Sequence, residues 1–189
     1  MNAPEKIAQI YLRLNGFFTI PHFSVLSAEG SQIDLLAVRL GNSEERIGID
    51  QNLTALKIDE EFLEILGASK SDTIGLVVEV KGGEKKHAEI SNAKFEYAER
   101  FLGDVEKVSR VTFERSINTL CKQERGGNQH VAIPLSHCLT FIDKRLEEVS
   151  EIESRLRGSG LLSKQGSWHL SEEFLSEIIY LKHLGFFGS

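Results

Sequence analysis

The chain has 189 residues, 41% hydrophobic and 26% charged, which suits one globular domain with a substantial core. No apolar run approaches the ~18–20 residues needed to span a bilayer, and "MNAPEKIAQIYLRLNG" lacks the basic-then-apolar order of a secretory signal. The net charge of −6 by itself argues against a nucleic-acid binder with a basic footprint, but residues 41–73 hold eight acids against three bases, so the rest is close to neutral and bulk charge excludes little.

Asn2 is placed to cap a first helix with Pro4 in its opening turn, where a missing N–H costs nothing. Ile7, Ile10, Tyr11 and Leu14 follow at helical spacing, and Asn15-Gly16 ends the run. "FFTIPHFSVL" is rich in β-formers but holds Pro21, which predicts an edge or bulged strand. "QIDLLAVRL" predicts a second strand. "TIGLVVEVK" predicts a third, apolar on both faces and so covered on both. The 41–73 segment between the last two strands is too long for a hairpin loop. It reads as an acidic insertion, with "IDEEFLEILG" a short amphipathic helix stopped by Gly67.

After Gly82-Gly83, "HAEISNAKFEYAERFLG" predicts a helix ended by Gly103, and "KVSRVTFER" a strand. "INTLCKQERGGNQ" is ambiguous, its second half a loop. "HVAIPL" predicts a short strand, and residues 136–158 a long helix capped by Ser136 with Leu139, Ile142, Leu146, Val149, Ile152 and Leu156 on one side. Beyond Gly158-Ser159-Gly160, Ser171 is placed to cap a very apolar last helix. The expected organisation is an α/β sandwich on a small mixed sheet: a domain over 1–157 with its insertion at 41–73, and a helical extension over 158–189 that packs on the core or forms a dimer interface.

Side chains alternate along a strand, so Val77, Glu79 and Lys81 share one face. If the second and third strands are antiparallel neighbours, Asp34 lies beside Glu79. Two carboxylates in one small space repel unless a cation sits between them. Mg²⁺ takes oxygen ligands and keeps several waters, so two carboxylates and a backbone carbonyl suit it. Lys81 is then placed to hold a water or to neutralise charge on a phosphate, the layout for metal-assisted phosphodiester hydrolysis.

Glu5 in "EKIAQIYLRLNGF", Asp34 in "GSQIDLLA" and Glu79-Val80-Lys81 in "VVEVK" resemble, in order and context, the PD-(D/E)XK nuclease superfamily. The chain is similar over about residues 4–115 to its small bacterial, Holliday-junction-resolvase-like members. The resemblance implies a restriction-endonuclease-like α-β-β-β-α-β core with a mixed sheet sandwiched by helices. It implies Asp34, Glu79 and the Val80 carbonyl as ligands of Mg²⁺ or Mn²⁺, Lys81 as the catalytic lysine and Glu5 as support from the first helix. DNA is the implied substrate. Gln32 stands where many relatives carry a glutamate, and no clean glutamine motif follows on the next helix, although Lys94 and Asn92 fall in the right region. Lys85 and Lys86, with Lys81 and His87, form a basic rim that reads equally as a solvated loop or as a contact for a phosphate backbone.

Other sites have less support. The six histidines form no HxxxH or HExxH pattern, and "KGGEKK" lacks the P-loop pattern. "SKQGSWHLSEEF" only faintly suggests the wing of a winged helix-turn-helix. Cys121 and Cys138 are too distant for a CxxC pair and read as packing residues, consistent with a reducing cytoplasm. The rival to a nuclease is a catalytically inactive nuclease-fold protein that docks a partner through its acidic insertion.

Overall fold

The structure is a computed structural model that describes residues 2–26, 32–43, 46–47, 54–83 and 87–158. Helix α1 (Ala3–Leu14) opens with the expected cap: Asn2 Oδ1 accepts from the Glu5 amide at 3.0 Å, while Glu5 Oε2 accepts from the Asn2 amide at 3.1 Å. This reciprocal pairing satisfies two amides that a helix start leaves open. The chain then runs through β1 (Phe18–Ser24), β2 (Gln32–Arg39), the short β3 (Arg46–Ile47) and β4 (Thr54–Ala55), α2 (Glu60–Leu66), β5 (Ile74–Lys81), α3 (Asn92–Leu102), β6 (Lys107–Glu114), β7 (Cys121–Arg125), β8 (Asn128–Pro134) and α4 (Leu135–Gly158).

Six strands form one mixed sheet in the order β1-β2-β5-β6-β8-β7. β1, β2 and β5 are antiparallel neighbours, β5, β6 and β8 are parallel, and β7 closes the far edge antiparallel to β8. As Pro21 requires, β1 is an edge strand. The apolar β5 lies mid-sheet, and seven of its eight residues are buried, because helices cover both of its faces. On one face Ile7, Tyr11, Phe62, Leu76, Phe113 and Ile142 join in the main core. On the other, Leu36, Val77, Ile90 and Ala98 form a smaller core under α3.

The structure corrects several expectations. α3 begins at Asn92, capped by Ser91, so residues 87–90 are not helical. The ambiguous "CKQER" is strand β7; its mixed exposure at the sheet edge explains why it lacks an apolar signature. α4 starts at Leu135, directly after β8, so Ser136 is inside the helix rather than its cap. The insertion holds the β3–β4 pair as well as α2. The helix expected after Ser171, the winged-helix reading and the extension from 159 onward lie outside the described residues. Among the described residues, no helix is long and apolar enough to cross a membrane.

A buried polar junction around Asp59 helps bind the insertion to the core. Asp59 caps α2 by accepting from the Phe62 amide at 3.2 Å. Its Oδ2 also accepts from the Tyr11 hydroxyl of α1 at 2.7 Å and contacts His137 Nε2 of α4 at 2.6 Å. The Asp59 amide donates to Asn15 Oδ1 at 2.7 Å. Burial alone would raise the Asp59 carboxyl, but the bonds from His137, Tyr11 and the Phe62 amide hold it below its usual range. The bond to Asp59 raises His137 against the opposing effect of burial. Phe62, fully buried beside this junction, adds about 1.5–3 kcal/mol of apolar burial.

Two outcomes follow from these shifts. His137 is raised, so its contribution is complete below its unfolded value of about 6.5 and lost as pH rises through its folded value. Asp59 is lowered, so its contribution is complete above about 3.9 and lost as pH falls through its folded value. Denaturant titrations from pH 5 to 9 should therefore show stability falling on the alkaline side, and His137→Gln should flatten that fall. Tyr11→Phe leaves the buried Asp59 one donor short and should cost about 1.5–3 kcal/mol, read as a lowered denaturation midpoint at unchanged slope.

Candidate functional site

The β2–β5 ladder pairs Arg39 with Ile74 and continues to Leu35 opposite Val78, where it stops. The next position on β2 is Asp34. Its Oδ2 accepts from the Val80 amide at 2.7 Å, so a side chain takes the donor that continued pairing would have given to backbone. A strand residue's N–H and C=O point towards the same neighbour, so the Val80 carbonyl faces this opening as well. Lys81, one residue on, turns its carbonyl the other way, to the Arg115 amide beyond β6.

A matching irregularity lies on the edge strand. His22 has φ 52°, in the left-handed region that is uncommon for a residue with a Cβ. On either side of it, Pro21 pairs with Leu35 and Phe23 with Ile33; the His22–Asp34 step between them is missing from the ladder. The twist also changes which face the neighbours occupy. Leu35 packs in the main core, whereas Ile33 and Phe23 pack in the α3 core. Ile33 and Leu35, two positions apart on one strand, thus lie on opposite faces, and Asp34, at the crossover between them, projects along the sheet into the opening.

Glu79 is buried at 4% exposure on the α3 face. Lys94 of α3 donates to its Oε1 at 2.7 Å and to the Gln32 carbonyl at 2.8 Å. Lys81 Nζ lies 3.7 Å from Glu79 Oε2. Burial raises the Glu79 carboxyl, the Lys94 bond opposes this, and the nearby Asp34 charge raises it further. Glu5 sits at the rim. A Cβ added to Gly82 would come 2.5 Å from Pro4 Cγ, so the first turn of α1 lies against the end of β5. The Glu5 carboxylate is shared between the Asn2 cap and a 4.0 Å approach to His22 Nε2.

Asp34, Glu79, Lys81 and Lys94 are therefore gathered at one break in the sheet, with Glu5 beside them and Gln32 contributing its carbonyl rather than its side chain. Asn92 instead bonds Arg110 at 2.9 Å. Lys85 and Lys86 lie outside the described residues. His22 escaped sequence reading because φ is not written in composition; only its place after Pro21 hinted at an irregular edge.

Among the described residues, no cluster of three or more histidine, cysteine or carboxylate side chains is placed for a metal. The donor set at the break, two carboxylates and a carbonyl, still fits Mg²⁺ or Mn²⁺, which are held by one or two protein carboxylates with waters completing the shell. Burial chiefly, with the Asp34 charge in addition, raises Glu79, and a bound cation would oppose both. Lys94 and Lys81 supply positive charge there at present. Comparison with family models, curated proteins and solved structures gave no match, so the site rests on its own geometry.

A metal-free pH series tests the description of Glu79. Its carboxyl is raised in the fold, so ionising it costs stability as pH climbs from the unfolded value of about 4.3 through the folded value. In chelator-treated buffer, Glu79→Gln should gain stability relative to wild type between pH 4 and 7. A constant difference across that range would mean that Glu79 is not raised.

Proposed function

We propose that this chain is a divalent-metal-dependent nuclease of the PD-(D/E)XK superfamily, cutting phosphodiester bonds in DNA. On this reading α1, β1, β2, β5, α3 and β6 are its restriction-endonuclease-like α-β-β-β-α-β core. The observation that carries the reading is Asp34 lying against the Val80 amide at the point where β2 leaves β5. This brings an acid from one strand to the Glu79-Val80-Lys81 run of the next, in an opening of the sheet rather than on a continuous face.

Asp34, Glu79 and the Val80 carbonyl would hold Mg²⁺ or Mn²⁺. The bound ion would polarise the phosphate and lower the pKa of an attacking water. Lys81, with 39% of its side chain exposed, reaches from β5 towards solvent, where it orients that water and offsets charge growing on the phosphoryl oxygens. Lys94, bonded to Glu79 Oε1 at 2.7 Å, opposes the effect of burial on that carboxyl. Glu5 supports the rim from α1.

The reading predicts that metal binds only the folded state, so saturating Mg²⁺ should raise the wild-type melting temperature but not that of Asp34→Asn. Asp34→Asn can keep an acceptor for the Val80 amide and should fold normally. Plasmid and branched-DNA assays should show metal-dependent cutting by wild type, reduced at least about 100-fold in Asp34→Asn and Lys81→Met. Cutting that survives both substitutions would refute the assignment.

The lysines already compensate the buried carboxylate, and the insertion is firmly docked. These facts support a second reading, an inactive nuclease-fold module that binds a partner through α2. Deleting 41–73 would strip Phe62, Leu63 and Leu66 from the core, so the informative change is charge reversal at the exposed Glu60, Glu61 and Glu64. Increased DNA binding would mark the segment as a shield, and loss of a partner would mark an interface.

A further inference from the structure

One strand further into the sheet, Lys81 is in parallel register with Glu114 of β6. Both side chains are on the α3 face, since Val111 and Phe113 point into the opposite core. Glu114 is fully buried. Its carboxylate accepts from the Ala88 amide at 3.2 Å and from the Arg125 guanidinium, and Ser116 Oγ approaches at 3.4 Å. It also accepts from His87 Nδ1 at 3.0 Å. A carboxylate so supplied with donors acts only as an acceptor, so Nδ1 carries a proton and the ring orientation is fixed. Nε2 is on the opposite edge of the ring, and 61% of the His87 side chain is exposed. An imidazole held by a buried carboxylate with its other nitrogen free is suited to move a proton. Adjacent strands are roughly 4.8 Å apart, so Glu114, which holds this ring, stands one strand away from Lys81 on the same face.

We propose that His87, positioned by Glu114, protonates the leaving oxygen of the cleaved phosphodiester. The proposal rests on the nuclease reading. Water forms the new P–O bond as the bond from phosphorus to the leaving oxygen breaks. The Nε2 proton of the imidazolium passes to that oxygen, the proton lost by the water goes to solvent, and the neutral ring regains a proton from solvent.

The test replaces the leaving oxygen. DNA with a single bridging 3′-phosphorothiolate linkage expels a thiolate, which is stable without protonation because thiol pKa values are near 8.5. Wild type, His87→Gln, His87→Ala and Asp34→Asn are compared on this strand and on its all-oxygen counterpart. His87→Gln retains an amide donor for Glu114, and melting curves verify folding of both His87 variants. Both should cut the oxygen-linked strand about 10²–10⁴-fold more slowly than wild type and the sulfur-linked strand at close to the wild-type rate. Equal loss on both strands, or no loss on the oxygen strand, would overturn the role of His87 while leaving Asp34-dependent cutting intact. Absence of Asp34-dependent cutting of either strand by wild type would overturn this role and the nuclease reading together.

Discussion

The Val80 amide is held by a side chain rather than by a neighbouring strand, and the arrangement of the site depends on that substitution. A buried amide must find an acceptor. Had β2 continued beside β5, backbone would have supplied it and the two strands would have stayed zipped. Beside the left-handed His22 of β1, β2 leaves β5, and the Asp34 carboxylate takes the Val80 amide at 2.7 Å. The opening thus costs no unpaired donor at Val80, and it leaves a carbonyl and two carboxylates facing one small space.

Charge at that space is balanced from outside the sheet. Burial to 4% exposure raises the Glu79 carboxyl, since desolvation of a lone carboxylate is expensive, and a cation close by opposes that. Lys94 provides it from α3 and Lys81 from the same strand. The main core under α1, α2 and α4 keeps β5 fixed, while the junction of Tyr11, Asp59 and His137 ties the insertion to that same side. α2 of the insertion therefore packs with the core on the face opposite α3, and the α3 face carries Glu79, Lys81, Lys94 and Glu114.

Local signals in the sequence were enough to place most strands and helices, because capping at Asn2, the proline in β1 and the doubly apolar β5 each have a short-range cause. The pairing of Asp34 with Glu79-Val80 was also legible, since it needs only two neighbouring strands in register. Lys94 was legible as a candidate, but its bond to Glu79 depends on how α3 sits on the sheet. The Glu114–His87 and Asp59–His137 contacts span 27 and 78 residues and join elements with no shared pattern. "CKQER" hid its strand character because an edge strand need not bury alternate residues. Residues 87–90 looked helical by composition, but Ala88 and Ile90 give their amides to Glu114 and His130 instead.

The most direct test of the account is where a cation sits. Mn²⁺ added at substoichiometric amounts to isotope-labelled protein broadens amide resonances near its binding site. The account predicts broadening centred on Asp34, Glu79 and Val80, lost in Asp34→Asn. Broadening centred on the exposed acids Glu60, Glu61 and Glu64, with the Val80 amide unaffected, would contradict it.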